Sequence, residues 1–342
     1  MKRMNKFFNK ITDFNNIRLA FLKAIRGNRS SPSALYYCRN IDKNLFLLRQ
    51  KFITLKPGWG SYKSFQVTDP KLRTISTAPF EQRVMHHAIM NIIEPVIERV
   101  LISRTYACRK GKGTHAALLY AFSRCKCNSY FLKLDVRKYF NSIDHEILKA
   151  KLRKLIKDQK VIYLLDGIIG SYETFQGRGI PIGNLTSQFF ANMYLASLDH
   201  YILEKLHPGA YCRYMDDFVV WSDSKEKINK LFFDIDEYVR NNLNLTLKPP
   251  VIGKTSKGLP FLGFLVKDKG IYLLQKSKRR VKNRITEISA SLYQNKITEE
   301  KAAEQVISVF AAIAMARTNN FRKLLCKRGE RTRTRGSITP LV

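Results

Sequence analysis

The residues Tyr214-Met215-Asp216-Asp217 lie between two short apolar runs, Ala210–Arg213 and Phe218–Trp221. Such runs around a polar tip predict two β-strands joined by a tight turn, with adjacent carboxylates at the apex. Two neighbouring acids repel each other unless a cation sits between or above them. In a chain of formal net charge +34, that cation is either a divalent metal or a nearby Arg or Lys. An Asp pair in a turn is weak evidence by itself, because Asp is a favoured turn residue. A third carboxylate strengthens it: Asp135 closes the segment Tyr130–Leu134, which reads as a buried strand. If these strands are neighbours, Asp135, Asp216 and Asp217 converge at one edge of a sheet. Their oxygens suit hard divalent cations, which phosphoryl-transfer sites hold in pairs about 3.5–4 Å apart. The competing reading is a helix N-cap plus an ordinary turn, with no metal.

The surrounding pattern supplies elements to carry these residues. A helix is expected from about Asp144, with Ile147, Leu148 and Leu152 on one face. Tyr62–Thr68 alternates like a strand, after the turn Pro57–Gly60. Glu81–Val100 places Val84, Ala88, Ile92 and Val96 on one helical stripe, with Pro95 as a kink. His86 and His87 on that helix read as packing or surface residues rather than ligands. Asn184–Leu206 reads as one long helix and Asp223–Leu243 as another. The basic segment Lys276–Gln294 and the segment Thr298–Ala316 are also helical in pattern.

Together these segments resemble the reverse transcriptases, whose sequence blocks follow here in order. Leu72-Arg73-Thr-Ile75 resembles the first fingers block, and Tyr106-Ala-Cys-Arg109-Lys-Gly-Lys-Gly-Thr114 the second. Leu134-Asp135-Val136 with Phe140, and the Tyr-Met-Asp-Asp turn, resemble the palm. Gly179–Gln188 resembles the block before the palm helix, and Phe261-Leu262-Gly263-Phe264 the primer-grip hairpin. The resemblance covers roughly residues 50–265. It implies an α/β (α+β) right-hand polymerase, with fingers, a palm of antiparallel sheet backed by helices, and a helical thumb. It further implies two Mg²⁺ ions, with Mn²⁺ as a substitute, held by Asp135, Val136, Asp216 and Asp217, of which the three aspartates are catalytic. Lys63, Arg73, Phe140, Ile182, Gly183, Gln188 and Lys254 become nucleotide-binding candidates, with Phe140 as a steric gate against a 2′-hydroxyl. Lys248 competes with Lys254 to protonate the leaving pyrophosphate, and Lys254 is slightly preferred. Arg109, Lys110, Lys112, Tyr214, Met215, Phe261, Leu262 and Gly263 become template or primer contacts.

One block departs from the common pattern. Where most reverse transcriptases carry Gln-Gly-x-x-x-Ser-Pro, this chain has Ile182-Gly183-Asn-Leu-Thr-Ser187-Gln188. That variant resembles the enzymes of bacterial and phage diversity-generating retroelements. These copy a template-repeat RNA into cDNA mutated at adenines, together with a small basic accessory variability protein. The alternatives are a retron or group II intron-like enzyme, and a non-catalytic RNA-binding protein on the same fold. Composition agrees with a nucleic-acid partner: 61 Lys and Arg face 27 Asp and Glu. Substrates implied are template RNA, the cDNA primer strand and dNTPs. Six cysteines without zinc spacing read as reduced thiols, hence a cytoplasmic location. No membrane span, RNase H acidic cluster or second nuclease motif is expected. The expected division is 1–50 as a helical extension of the fingers, 51–265 as fingers and palm, 266–326 as thumb, and 327–342 as a basic flexible tail.

Overall fold

The computed structural model describes residues 6–27, 29–68 and 72–333, the last seven by backbone alone. Four helices open the chain: α1 (Phe8–Ile11), α2 (Phe14–Ile25), α3 (Pro32–Arg39) and α4 (Ile41–Ile53). Asp13 caps α2 by accepting from the amides of Asn15 and Asn16, and Ser31 caps α3. The strands β1 (Lys63–Thr68) and β2 (Leu72–Thr77) follow as a hairpin, then α5 (Phe80–Glu98). Asparagines that interrupt the apolar stripe of α2 are used in docking. Asn16 Nδ2 donates to the Ala88 carbonyl at 3.0 Å, and Asn91 Nδ2 donates to Asn16 Oδ1 at 2.9 Å. The opening helices thus pack on α5.

The palm begins with α6 (Thr114–Cys127) and β3 (Tyr130–Asp135). It continues through α7 (Tyr139–Ser142), α8 (His145–Leu155) and α9 (Gln159–Gly170). Asp144 is the N-cap of α8, accepting from the amides of Glu146 and Ile147. The single long helix expected over Asn184–Leu206 is instead broken into α10 (Leu185–Tyr194), α11 (Ala196–Tyr201) and a π-turn, Ile202–Leu206. After these come β4 (Ala210–Tyr214), β5 (Asp217–Ser222), α12 (Lys225–Leu243) and β6 (Val251–Lys254). Strands β3–β6 form one antiparallel sheet in the order β4-β5-β3-β6. Strands β3, β4 and β5 are mostly apolar because both their faces are covered, whereas the edge strand β6 is largely exposed. Leu132, Leu134, Tyr211, Phe218 and Val220 enter the larger core with the palm helices and α5. Phe131, Cys212, Val219 and Trp221 enter a second core with α6.

That second core also takes in the sheet β7 (Leu259–Phe261), β8 (Phe264–Lys267) and β9 (Gly270–Leu273). The β7–β8 turn, Leu262-Gly263, has φ of 49° and 87°, which a two-residue hairpin of this hand requires. The chain ends in α13 (Gln275–Tyr293), α14 (Glu299–Ile313) and α15 (Asn319–Arg333). The flexible tail expected from Lys327 is therefore helical in backbone to Arg333, and residues 334–342 lie outside the described residues. No helix among the described residues is long and apolar enough to cross a membrane.

Fingers and palm meet at the loop before α10. The Ser76 amide donates to the Ile182 carbonyl at 2.8 Å, and the Ala78 amide to Asn184 Oδ1 at 3.3 Å. Gly183 has φ of +121°, and a Cβ there would lie 2.8 Å from Ile75 Cγ2. Its missing side chain therefore admits strand β2 of the fingers. Replacing Gly183 with Ala should destabilise the protein by about 1–3 kcal/mol, from left-handed strain plus overpacking. A lowered urea midpoint at unchanged slope would show it.

Candidate active site

The sheet register brings the carboxylates together. Asp135 at the end of β3 is paired with Asp217 at the start of β5, and Tyr214 pairs Asp217 across the hairpin. Met215 and Asp216 form its two-residue turn, with Met215 at φ of +58°. The Val136 amide donates to the Asp216 carbonyl at 3.3 Å, tying the turn to the end of β3. Met215 holds a left-handed conformation without being glycine, which costs of order 1–3 kcal/mol.

A buried ion pair supports that turn, and sequence reasoning missed it. Arg213 and Asp199 have fully buried side chains. Arg213 Nε donates to Asp199 Oδ1 at 2.7 Å and its Nη2 to Oδ2 at 2.5 Å. Nη1 donates to Asn192 Oδ1 at 3.2 Å and to the Met215 carbonyl at 3.0 Å; Nη2 also reaches the Asn192 carbonyl. Tyr211 donates its hydroxyl to the same Asp199. An arginine inside an apolar strand was the available signal, since a charge there must be paired.

Two lysines hold the carboxylates. Lys248 Nζ donates to Asp135 Oδ1 at 2.5 Å, and Lys133 Nζ lies 3.1 Å from Asp217 Oδ1. Lys133 is two residues before Asp135 on one sheet face, a diagonal neighbour of Asp217. Burial, then the Asp135 charge, raises the Asp216 carboxyl above its usual range. Burial pushes Asp217 up to about 7, with Lys133 opposing the rise. The cluster thus favours an added positive charge. Its all-oxygen donors fit a hard divalent cation, although no three His, Cys, Asp or Glu side chains among the described residues form a ready-made cage. Mg²⁺ needs only one or two protein carboxylates beside substrate phosphates. Asp135, Asp216 and Asp217 would hold it, and the Val136 backbone lies beside them.

The remaining candidates divide. Arg73 is exposed on β2, and its charge reaches Asp216. Lys63 shares that face, but its hairpin position is four residues from Val67, the partner of Arg73, or roughly 13 Å away. Phe140 is half-buried in α7, edge-on to Tyr139. Gln188 is exposed on α10, and the Tyr214 hydroxyl accepts from Thr114 Oγ1 at 3.2 Å. Phe261, Leu262 and Gly263 form the β7–β8 hairpin expected of them. Lys110 is exposed, while Lys112 Nζ donates to the Ser103 carbonyl at 2.9 Å.

Two expectations are corrected. Lys254 pairs with Tyr130 at the opposite end of β3, five positions or roughly 17 Å from Asp135, so Lys248 is the lysine at the carboxylates. Arg109 is no template contact: its Nε donates to Glu98 at 2.9 Å and its Nη1 to the Ile102 carbonyl at 2.6 Å. The space a side chain at Gly183 would fill is taken by Ile75 of the fingers strand.

Comparison with known proteins agrees with this geometry. Residues 62–266 match the family model described as reverse transcriptase (RNA-dependent DNA polymerase), more than half of the chain. The chain belongs to the reverse transcriptase family. It is 27% identical over 140 residues to the group II intron-encoded protein LtrA of Lactococcus lactis subsp. cremoris, covering 39% of this chain and 23% of that protein. An uncharacterized 91 kDa protein in the cob intron of Schizosaccharomyces pombe is 26% identical over 136 residues, 38% of this chain and 17% of its own. Protein YkfC of Escherichia coli K12 is 22% identical over 238 residues, 56% of this chain and 62% of its own. The chain thus spans about a fifth of the length of the two intron relatives.

Two outcomes test the site. Asp199→Ala should cost about 3–5 kcal/mol in urea unfolding, because it strands a buried guanidinium. In the metal-free protein the Asp217 carboxyl should titrate near 7 by carboxyl NMR, and Lys133→Met should move that midpoint upward. With a folded value above the unfolded one, this group's contribution to stability falls as pH rises from about 4 to about 7.

Proposed function

We propose that this reverse transcriptase extends a primer with dNTPs along an RNA template, using Asp135, Asp216 and Asp217 as its metal-holding carboxylates. The pairing of Asp135 with Asp217 beside Asp216 carries this reading. Bound divalent cations would activate the 3′-hydroxyl and balance charge on the pyrophosphate. Arg73 would hold the triphosphate through its planar donors. Lys248, which here donates to Asp135, would protonate the leaving pyrophosphate. Phe140 would exclude ribonucleotides. Val136, Gln188, Tyr214, Met215 and the Phe261–Gly263 hairpin would complete the metal, nucleotide and primer contacts.

The group II intron type is favoured among lineages, because group II intron-encoded protein LtrA is among the curated relatives. One observation supports the second reading, an adenine-mutagenising retroelement enzyme with template-repeat RNA and a basic accessory protein. Ile182 stands where an amide is common, and an isoleucine cannot hydrogen-bond a base or nucleotide. Shape and base pairing would then carry fidelity, and steric discrimination alone is modest.

Primer extension on an adenine-containing RNA template, with products sequenced, tests both. Asp216→Asn should lower product at least about a hundredfold, as for losing one group that stabilises transition-state charge. Evenly low errors support the intron type. Errors concentrated opposite adenines, and reduced by Ile182→Gln, support the mutagenic type.

A further inference from the structure

Between Glu98 and Asp135 the sequence contains no acidic residue and eight cations. The structure sorts these cations by what holds them. Arg109 is neutralised by Glu98, and Lys133 by Asp217. Others rest on aromatic rings. The Arg104 guanidinium lies 4.5 Å from the Tyr120 ring centroid and Arg124 5.3 Å from it. Lys126 lies 4.4 Å from the Phe122 centroid, and Lys112 5.1 Å from that of Tyr106. Two of these contacts join residues four apart on α6, Tyr120 with Arg124 and Phe122 with Lys126, which are neighbours on a helix surface. The rings themselves are linked, Tyr106 to Tyr120 at 6.0 Å and Tyr120 to Trp221 at 6.4 Å. A carboxylate fixes a cation by cancelling its charge, whereas a ring fixes it and leaves the charge intact. Arg104, Arg124 and Lys126 have no carboxylate partner within ion-pair distance among the described residues.

These cations form a line with a direction. The N-terminus of α6 is tied to the catalytic hairpin by the Thr114–Tyr214 hydrogen bond, and Tyr120 further along touches Trp221 near the far end of β5. From Thr114 to Arg124 the helix rises roughly 15 Å. Fixed cations interleaved with aromatic rings, leading away from a polymerase centre, match the chemistry of a single-stranded nucleic acid.

We propose that the face formed by Arg104, Lys112, Tyr120 and Arg124, joined through the linked rings of Tyr106 and Tyr120, is a track for single-stranded RNA outside the catalytic cleft. The inference rests on the polymerase reading for the strand's identity as template. The phosphates lie against the guanidinium and ammonium groups, and sequence is not read there.

The test is anisotropy of the full chain with a labelled uridine oligonucleotide across a salt series. Arg104→Gln/Lys112→Gln/Arg124→Gln should weaken binding at least roughly tenfold and flatten the log–log salt slope by about 2, near 0.7 per lost phosphate contact. Arg104→Lys/Arg124→Lys should recover most of the slope, separating lost charge from lost folding. Unchanged affinity and slope in the glutamine variant would overturn the track, and so would a loss seen only with a thymidine DNA strand. Extension of a short RNA–DNA hybrid by the wild-type protein reports separately on the polymerase reading. If that extension fails while the variant still loses RNA, the track stands and the template assignment does not.

Discussion

Arg213 and Asp199 are two full charges removed from water, and most of the palm is arranged around keeping them satisfied. A buried guanidinium is tolerable only when its donors are used, because desolvation otherwise outweighs Coulomb attraction. Here its hydrogen bonds go to Asp199, both oxygens of Asn192 and the Met215 carbonyl. One side chain thereby joins α10, α11, β4 and the turn that carries Asp216. The same residue bonds through its backbone to Arg104 and Tyr106, which fastens the loop before α6. Met215 keeps its left-handed conformation because the bond to its carbonyl favours that geometry.

A second constraint is electrostatic and local. Asp135, Asp216 and Asp217 are drawn together by strand register, against their mutual repulsion. In this state Lys248 at Asp135 and Lys133 at Asp217 offset part of that repulsion. The arrangement explains why a strongly basic protein gathers acids at one point, and why lysines, whose stems are flexible, stand beside them.

Fingers and palm are coupled through backbone. Strand β2 donates to the Ile182 carbonyl, and Gly183 permits the close approach. The departure from the common family block at Ile182 therefore lies at a joint between subdomains. Its side chain is half-buried there. The Ser76–Ile182 backbone bond also fixes the strand that carries Arg73.

The sequence alone determined the central strands β3, β4 and β5, the hairpin apex and the three acids at their ends, because apolar runs and turn chemistry are local signals. It also determined that Gly183 is special, though not why. Partner choice was beyond it. Arg109 looked free for nucleic acid until Glu98, eleven residues earlier, was seen to hold it. Lys254 was slightly preferred to Lys248 until the β3–β6 pairing placed Lys254 at Tyr130 and Lys248 was found at Asp135. The break in the helix after Asn184 was hidden as well, since its apolar positions continue through it. Tertiary structure decided these points because long side chains are paired by register and packing across the chain, and no spacing along the sequence encodes which end of a strand meets which charge.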